Sequence, residues 1–88
     1  MKLRWNPEKN ELLKKTRNVS FEQVAEKILQ QDFLGPVKNP SRENQKIITV
    51  VINDYPCIVP LVVEEDGSWF LKTIYQSRKE KRRLKNGI

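Results

Sequence analysis

The sequence predicts a single α+β domain: two N-terminal helices packed on one face of a three- to four-stranded antiparallel meander, with a basic helix at the C-terminus. Three observations lead there. Residues 6–29 carry two helix-capping signals ahead of apolar residues at helical spacing, residues 46–75 hold three runs rich in Ile and Val separated by turn residues, and the 88-residue length fits one domain, 1–88. So short a chain buries a modest core, which makes a binding partner physically reasonable.

The first helix is announced by Asn6 as N-cap and Pro7 at the first helical position, where the missing N–H costs nothing. It should run to about Arg17 and stop at Asn18, which tolerates the left-handed conformation. Ser20 and Gln23 form a capping box for the second helix, with Val19 and Val24 placed to staple across it. Phe21, Val24, Ala25, Ile28 and Leu29 then recur at helical spacing and give that helix one apolar face.

Gly35, Pro36 and Pro40 mark "QDFLGPVKNPSRENQ" as a long loop, a kind of segment that often carries function. Strands are expected over 46–53, 55–65 and 68–75, joined by turns at Asn53-Asp54 and Glu65-Asp66-Gly67. Pro56 and Pro60 are four apart, so their missing N–H groups fall on one side of the middle strand, and that side cannot be a fully paired ladder. In the last strand, alternation places Phe70, Lys72 and Ile74 on one face and Trp69, Leu71, Thr73 and Tyr75 on the other. Ser77 is a cap and Gly87 a stop for a final helix whose apolar residues are limited to Leu84 and Ile88. The order is therefore α-α-β-β-β-α, or β-α-α-β-β-β-α if "KLRW" adds a leading strand.

Seventeen Lys and Arg against 11 Asp and Glu give a net charge of +6, and the excess is unevenly placed. Between Arg78 and Lys85, six basic residues (Arg78, Lys79, Lys81, Arg82, Arg83, Lys85) meet the single acid Glu80, so a polyanion is the natural partner for that end. The chain has no histidine, which removes Ser-His-Asp and Cys-His arrangements and the commonest zinc ligand. Its three glycines are scattered and form no phosphate-cradling loop. No metal and no cofactor are expected. Cys57 stands alone in an apolar run and reads as a core residue in a reducing compartment. Polar residues follow Met1 at once and no apolar run reaches spanning length, so the expectation is a soluble, cytoplasmic protein with no membrane partner.

Tyr75, Ser77 and Arg78 fall where the last strand becomes a helix. An arginine beside a helix N-terminus combines bidentate phosphate contacts with backbone donors, so this corner is a candidate phosphate site. The plainer reading has Tyr75 packed and Arg78 in water.

"LRWNPEKNELLKK" with "NVSFEQVAEKI", and then "FLKTIYQSRK" after a strand meander, resembles the BrnT family of bacterial toxins. Members of that family open with Trp-[Asp/Asn]-Pro-x-Lys, continue with Val-Ser-Phe-Glu and close with a strand leading into Ala/Ser-Arg-Lys/Arg. The resemblance spans nearly the whole chain and matches Trp5, Asn6, Pro7 and Lys9, then Ser20, Phe21 and Glu22, then Ser77, Arg78 and Lys79. It departs where Arg17 replaces a family histidine, where Ser41 to Lys46 follow an acidic and arginine-bearing segment only loosely, and where Glu80 replaces a small residue. The resemblance implies a RelE-like fold, a ribonuclease that inhibits translation, and a cognate antitoxin protein as partner.

RNA can be cleaved without a metal when its own 2'-hydroxyl attacks the adjacent phosphate. The protein then has to align the groups, move two protons and stabilise charge. Arg78, with Lys72, Lys79 or Lys46, is the expected charge-stabilising set, and Glu43 or Tyr75 the expected proton-transfer group. Ser77, Arg42, Lys81, Arg82, Arg83 and Lys85 complete the expected RNA-binding set, the distal basic residues gathering RNA or meeting the antitoxin. Two rival readings use the same residues: a non-catalytic RNA- or ribosome-binding module, and an interaction domain for an acidic protein.

Overall fold

A computed structural model describes residues 2–77. The chain runs β1 (Leu3–Trp5), α1 (Pro7–Arg17), α2 (Phe21–Leu29), β2 (Leu34–Lys38), β3 (Lys46–Ile52), β4 (Tyr55–Val63), β5 (Trp69–Leu71) and β6 (Tyr75–Gln76). Its architecture is α+β, with both helices on a mixed sheet in the order β1-β5-β4-β3-β2, and β6 also paired to β4. The helix expected after Ser77 lies outside the described residues, together with Arg78, Lys79, Lys81, Arg82, Arg83 and Lys85. Among the described residues no helix is long and apolar enough to cross a membrane.

Local chemistry sets both helices. Asn6 Oδ1 accepts the N–H groups of Glu8 and Lys9, Pro7 opens α1, and Asn18 closes it at φ 57°. Ser20 and Gln23 form the reciprocal capping box of α2. Asn10 ties the two helices together: it is only 3% exposed, its Oδ1 accepts the Phe21 N–H at 2.8 Å, and its Nδ2 donates to both Glu22 oxygens at 2.9 and 2.8 Å.

The core lies between the helices and one face of the sheet. Leu13, Phe21, Val24 and Ile28 meet Ile48, Val50 and Ile52 of β3, Cys57, Val59 and Leu61 of β4, and Trp69 and Leu71 of β5. Trp5 stacks on Phe21 with ring centroids 5.7 Å apart. Alternation sends Ile47, Thr49, Val51, Pro56, Ile58, Pro60, Val62 and Phe70 to the opposite face, on which no helix packs among the described residues.

Three features depart from the sequence expectation. First, β1 pairs with β5 in parallel, which makes the sheet mixed where an antiparallel meander was expected. Second, residues 34–38 of the expected loop form β2, an edge strand antiparallel to β3. Pro36 is tolerated because an edge strand has one unpaired side. Gly35, at φ +102°, allows a close approach that a Cβ would prevent, since it would lie 2.7 Å from the Ile47 carbonyl oxygen.

Third, the expected last strand is split by a bulge. Leu71 opposes Leu61 and Tyr75 opposes Ile58, so three steps on this strand cover Leu71 to Ile74 where β4 takes only Leu61 to Val59, leaving one extra residue. The prolines account for it. Lys72 N–H donates to the Pro60 carbonyl at 2.8 Å and Ser77 N–H to the Pro56 carbonyl at 3.1 Å, and neither proline has an N–H to return. Both missing donors thus fall on the β5–β6 side, the side that is only partly paired.

Candidate functional site

The bulge rearranges the faces of the last strand. Strict alternation separates Lys72 from Tyr75 and groups Ile74 with Lys72, but the extra residue turns Ile74 into the core and brings Tyr75 onto the face of Lys72. The unpaired backbone this creates is fastened from the other layer: the Arg17 guanidinium, at the end of α1, donates to the Ile74 carbonyl. Arg17 was not among the site residues expected from sequence, and no local signal marks it.

The second wall comes from the β2–β3 loop, residues 39–45. Asn39 organises it, with Oδ1 accepting the Ser41 N–H at 2.9 Å and the backbone N–H donating to the Gln45 carbonyl at 3.1 Å. Arg42 N–H donates to the Asn39 carbonyl, Gln45 N–H to the Arg42 carbonyl, and Asn39 Nδ2 to Gln45 Oε1. These hydrogen bonds hold the loop together, and the Arg42 side chain is exposed.

Between loop and bulge is an open concavity of about 470 Å³ lined by Asn39, Ser41, Arg42, Gln45, Pro60, Lys72, Thr73 and Tyr75. It brings together Arg42, Lys72 and Tyr75, three of the residues expected from sequence. Among the described residues no carboxylate lines it. The Lys72 ammonium sits 5.2 Å from the centre of the Phe70 ring, a cation–π contact. Tyr75 is 43% exposed. Among the described residues, the Arg42 guanidinium, the Lys72 ammonium and the Tyr75 hydroxyl have no hydrogen-bond or ion-pair partner. Ser77, two residues past Tyr75, leads directly into the basic run that begins at Arg78.

Lys46 and Glu43 are placed elsewhere. Lys46 has the strand parity of Ile48, Val50 and Ile52, so it points to the opposite face from Lys72. With Glu43 it lines a second concavity of about 360 Å³, together with Lys38, Asn44, Gln45 and Val63. Among the described residues only Gln45 borders both concavities. Of the two alternative proton-transfer groups, Tyr75 thus lines the first concavity and Glu43 the second.

The residues of the two N-terminal motifs have evident structural roles. Trp5 and Phe21 stack, Asn6 and Ser20 cap helices, and Glu22 is clasped by Asn10. The Asn10 hydrogen bonds are the main cause holding the Glu22 carboxyl below the usual glutamate range. Burial pushes the Cys57 thiol up, consistent with an inert core cysteine. Among the described residues no group of three Cys, Asp or Glu side chains is arranged to hold a metal, so no ligand set is assigned.

Compared with protein-family models, curated proteins and solved structures, the chain matches none. What bears on function is therefore the arrangement of this chain's own residues.

Proposed function

We propose that this protein is a metal-independent endoribonuclease toxin of a toxin–antitoxin pair, of the kind implied by its resemblance to the BrnT family and that family's RelE-like fold. The observation that carries the reading is the meeting of Arg42, Lys72 and Tyr75, which have no hydrogen-bond or ion-pair partner among the described residues, in a concavity to which those residues contribute no acid, just ahead of the basic run. Cations held without counter-charges favour an anionic ligand, and a phosphodiester also matches the C-terminal charge.

In this reading the RNA 2'-oxygen attacks phosphorus, the bond to the 5'-oxygen breaks, and a 2',3'-cyclic phosphate remains. One proton leaves the 2'-hydroxyl and one reaches the departing 5'-oxygen. Tyr75 is the group in the concavity able to accept or donate a proton. Lys72 and Arg42 stabilise the added phosphate charge, a role the sequence also assigns to Arg78 and Lys79. The antitoxin neutralises the protein by covering this basic corner, and the protein acts in the cytoplasm.

A second reading, a non-catalytic RNA- or ribosome-binding module, is favoured by one specific observation: Glu43 lines the other concavity, so among the described residues Tyr75 has no carboxylate beside it to share proton transfer. Incubation with RNA in EDTA separates the two. The ribonuclease reading expects cyclic-phosphate products from wild type and a loss of about a hundredfold or more in Lys72→Ala, Tyr75→Phe and Arg78→Ala. RNA that is bound but stays intact, with and without translating ribosomes, selects the binding module.

A further inference from the structure

The second concavity holds a charge arrangement that nothing within the described residues neutralises. Lys38 and Lys46 are direct cross-strand partners in the antiparallel β2–β3 ladder. Directly opposed side chains share a face with Cβ atoms about 5 Å apart, and like charges so placed destabilise a sheet. Sliding the register cannot relieve the repulsion, because the Asn39 N–H to Gln45 carbonyl hydrogen bond closes the hairpin at the next position. Both lysines are exposed, both line the concavity with Asn44 and Gln45, and neither forms an ion pair among the described residues, although Glu43 lines the same wall. Two lysines whose backbone positions are held side by side, lining one concavity with Asn44, can bring two ammonium groups to a single anion.

We propose that Lys38 and Lys46 form a phosphate subsite separate from the Arg42–Lys72–Tyr75 concavity, and that one single strand of RNA occupies both by passing over the loop at Gln45. The inference rests on the ribonuclease reading for the identity of the strand. Gln45 borders both concavities, so the two sites are neighbours around the end of the sheet. A single strand can follow that turn, whereas a stiff duplex cannot bend around one loop. In this arrangement Lys46 binds and orients RNA away from the scissile phosphate, and Lys72 lies beside it. Affinity for a long single strand then depends on the lysine pair as well as on Lys72.

The test is fluorescence anisotropy with a labelled single-stranded RNA of about a dozen nucleotides, over a salt series, using wild type, Lys72→Ala and the double variant Lys38→Ala/Lys46→Ala. Removing two phosphate contacts from a single strand should lower the slope of log affinity against log salt by about 1.4, with affinity falling about tenfold or more at low salt. The Tm of the double variant should be no lower than wild type, since a repulsive pair has been removed, so weaker binding cannot be laid to unfolding. Wild-type affinity and slope in the double variant, with Lys72→Ala weakened, would overturn the subsite and leave the ribonuclease reading intact; the lysine pair would then be free to meet an acidic protein. Failure of wild type to bind RNA at all would overturn both.

Discussion

The two ends of this chain treat their polar groups in opposite ways. In the N-terminal third, nearly every polar side chain near the core is spoken for: Asn6 and Ser20 cap helices, and Asn10 satisfies the Phe21 N–H and both oxygens of Glu22. Lys14 is engaged by Glu11 and Glu22, and the Glu11 hydrogen bond is the main cause raising its pKa. Around the β2–β3 loop and the β5–β6 bulge, by contrast, Arg42, Lys72, Tyr75, Lys38 and Lys46 stand without such partners among the described residues, and the strand itself is interrupted. Charges without hydrogen-bond or ion-pair partners are available to a ligand, and it is on this contrast that the proposed function is seated in the second region.

The contrast breaks first if the N-terminal core proves dispensable. Phe21 is fully buried and stacked on Trp5, so Phe21→Ala should cost about 3–5 kcal/mol, enough to unfold so small a domain in part or whole. Circular dichroism with urea titration measures it, and a loss well under 1 kcal/mol would contradict the packing described. Asn10→Ala is next. It strands the buried Phe21 N–H and should cost about 1–3 kcal/mol by the same titration.

A smaller effect is read in the pH dependence. The Glu22 carboxyl has a lowered pKa in the folded state, so between that value and the ordinary glutamate value the unfolded chain binds more protons. Its stabilising contribution is therefore fully present above the ordinary range and is lost as pH falls through the folded value. Asp66, lowered chiefly by its hydrogen bond from Ser68, acts with the same sign. Asn10→Ala should flatten the part of the acid limb due to Glu22 and leave the Asp66 part in place. An unchanged slope would show that Asn10 does not hold Glu22. The smallest effect on stability belongs to the other region: Lys72→Ala should leave unfolding free energy within about 0.5 kcal/mol of wild type.

What could be read from sequence follows the same division. Both helices were legible because their signals are local: Asn6-Pro7, the Ser20–Gln23 box and Asn18 each act within a few residues. The bulge was half legible. Pro56 and Pro60 showed that one side of β4 could not be fully paired, yet the slip in parity that unites Lys72 with Tyr75 depends on how the partner strand absorbs those missing donors. β2 was hidden because Gly35 and Pro36 carry loop signals, and only an edge position next to Ile47 makes them acceptable in a strand. Lys46 could have been separated from Lys72 by counting from Ile48, Val50 and Ile52, whose apolar parity it shares. Arg17 could not have been found, since its partner, the Ile74 carbonyl, is remote in sequence and is unpaired only because of the bulge.

The most direct test of the contrast is to remove one lysine from each region and measure affinity for single-stranded RNA at matched salt. Lys72→Ala and Lys14→Ala change the net charge equally, so bulk electrostatics affects both alike. The account predicts that Lys72→Ala weakens binding several-fold and lowers the salt slope by about 0.7, the value for one single-strand phosphate contact, while Lys14→Ala leaves both near wild type. Equal losses in the two variants would contradict it, showing that RNA is held by overall charge and not by the concavity beside the bulge.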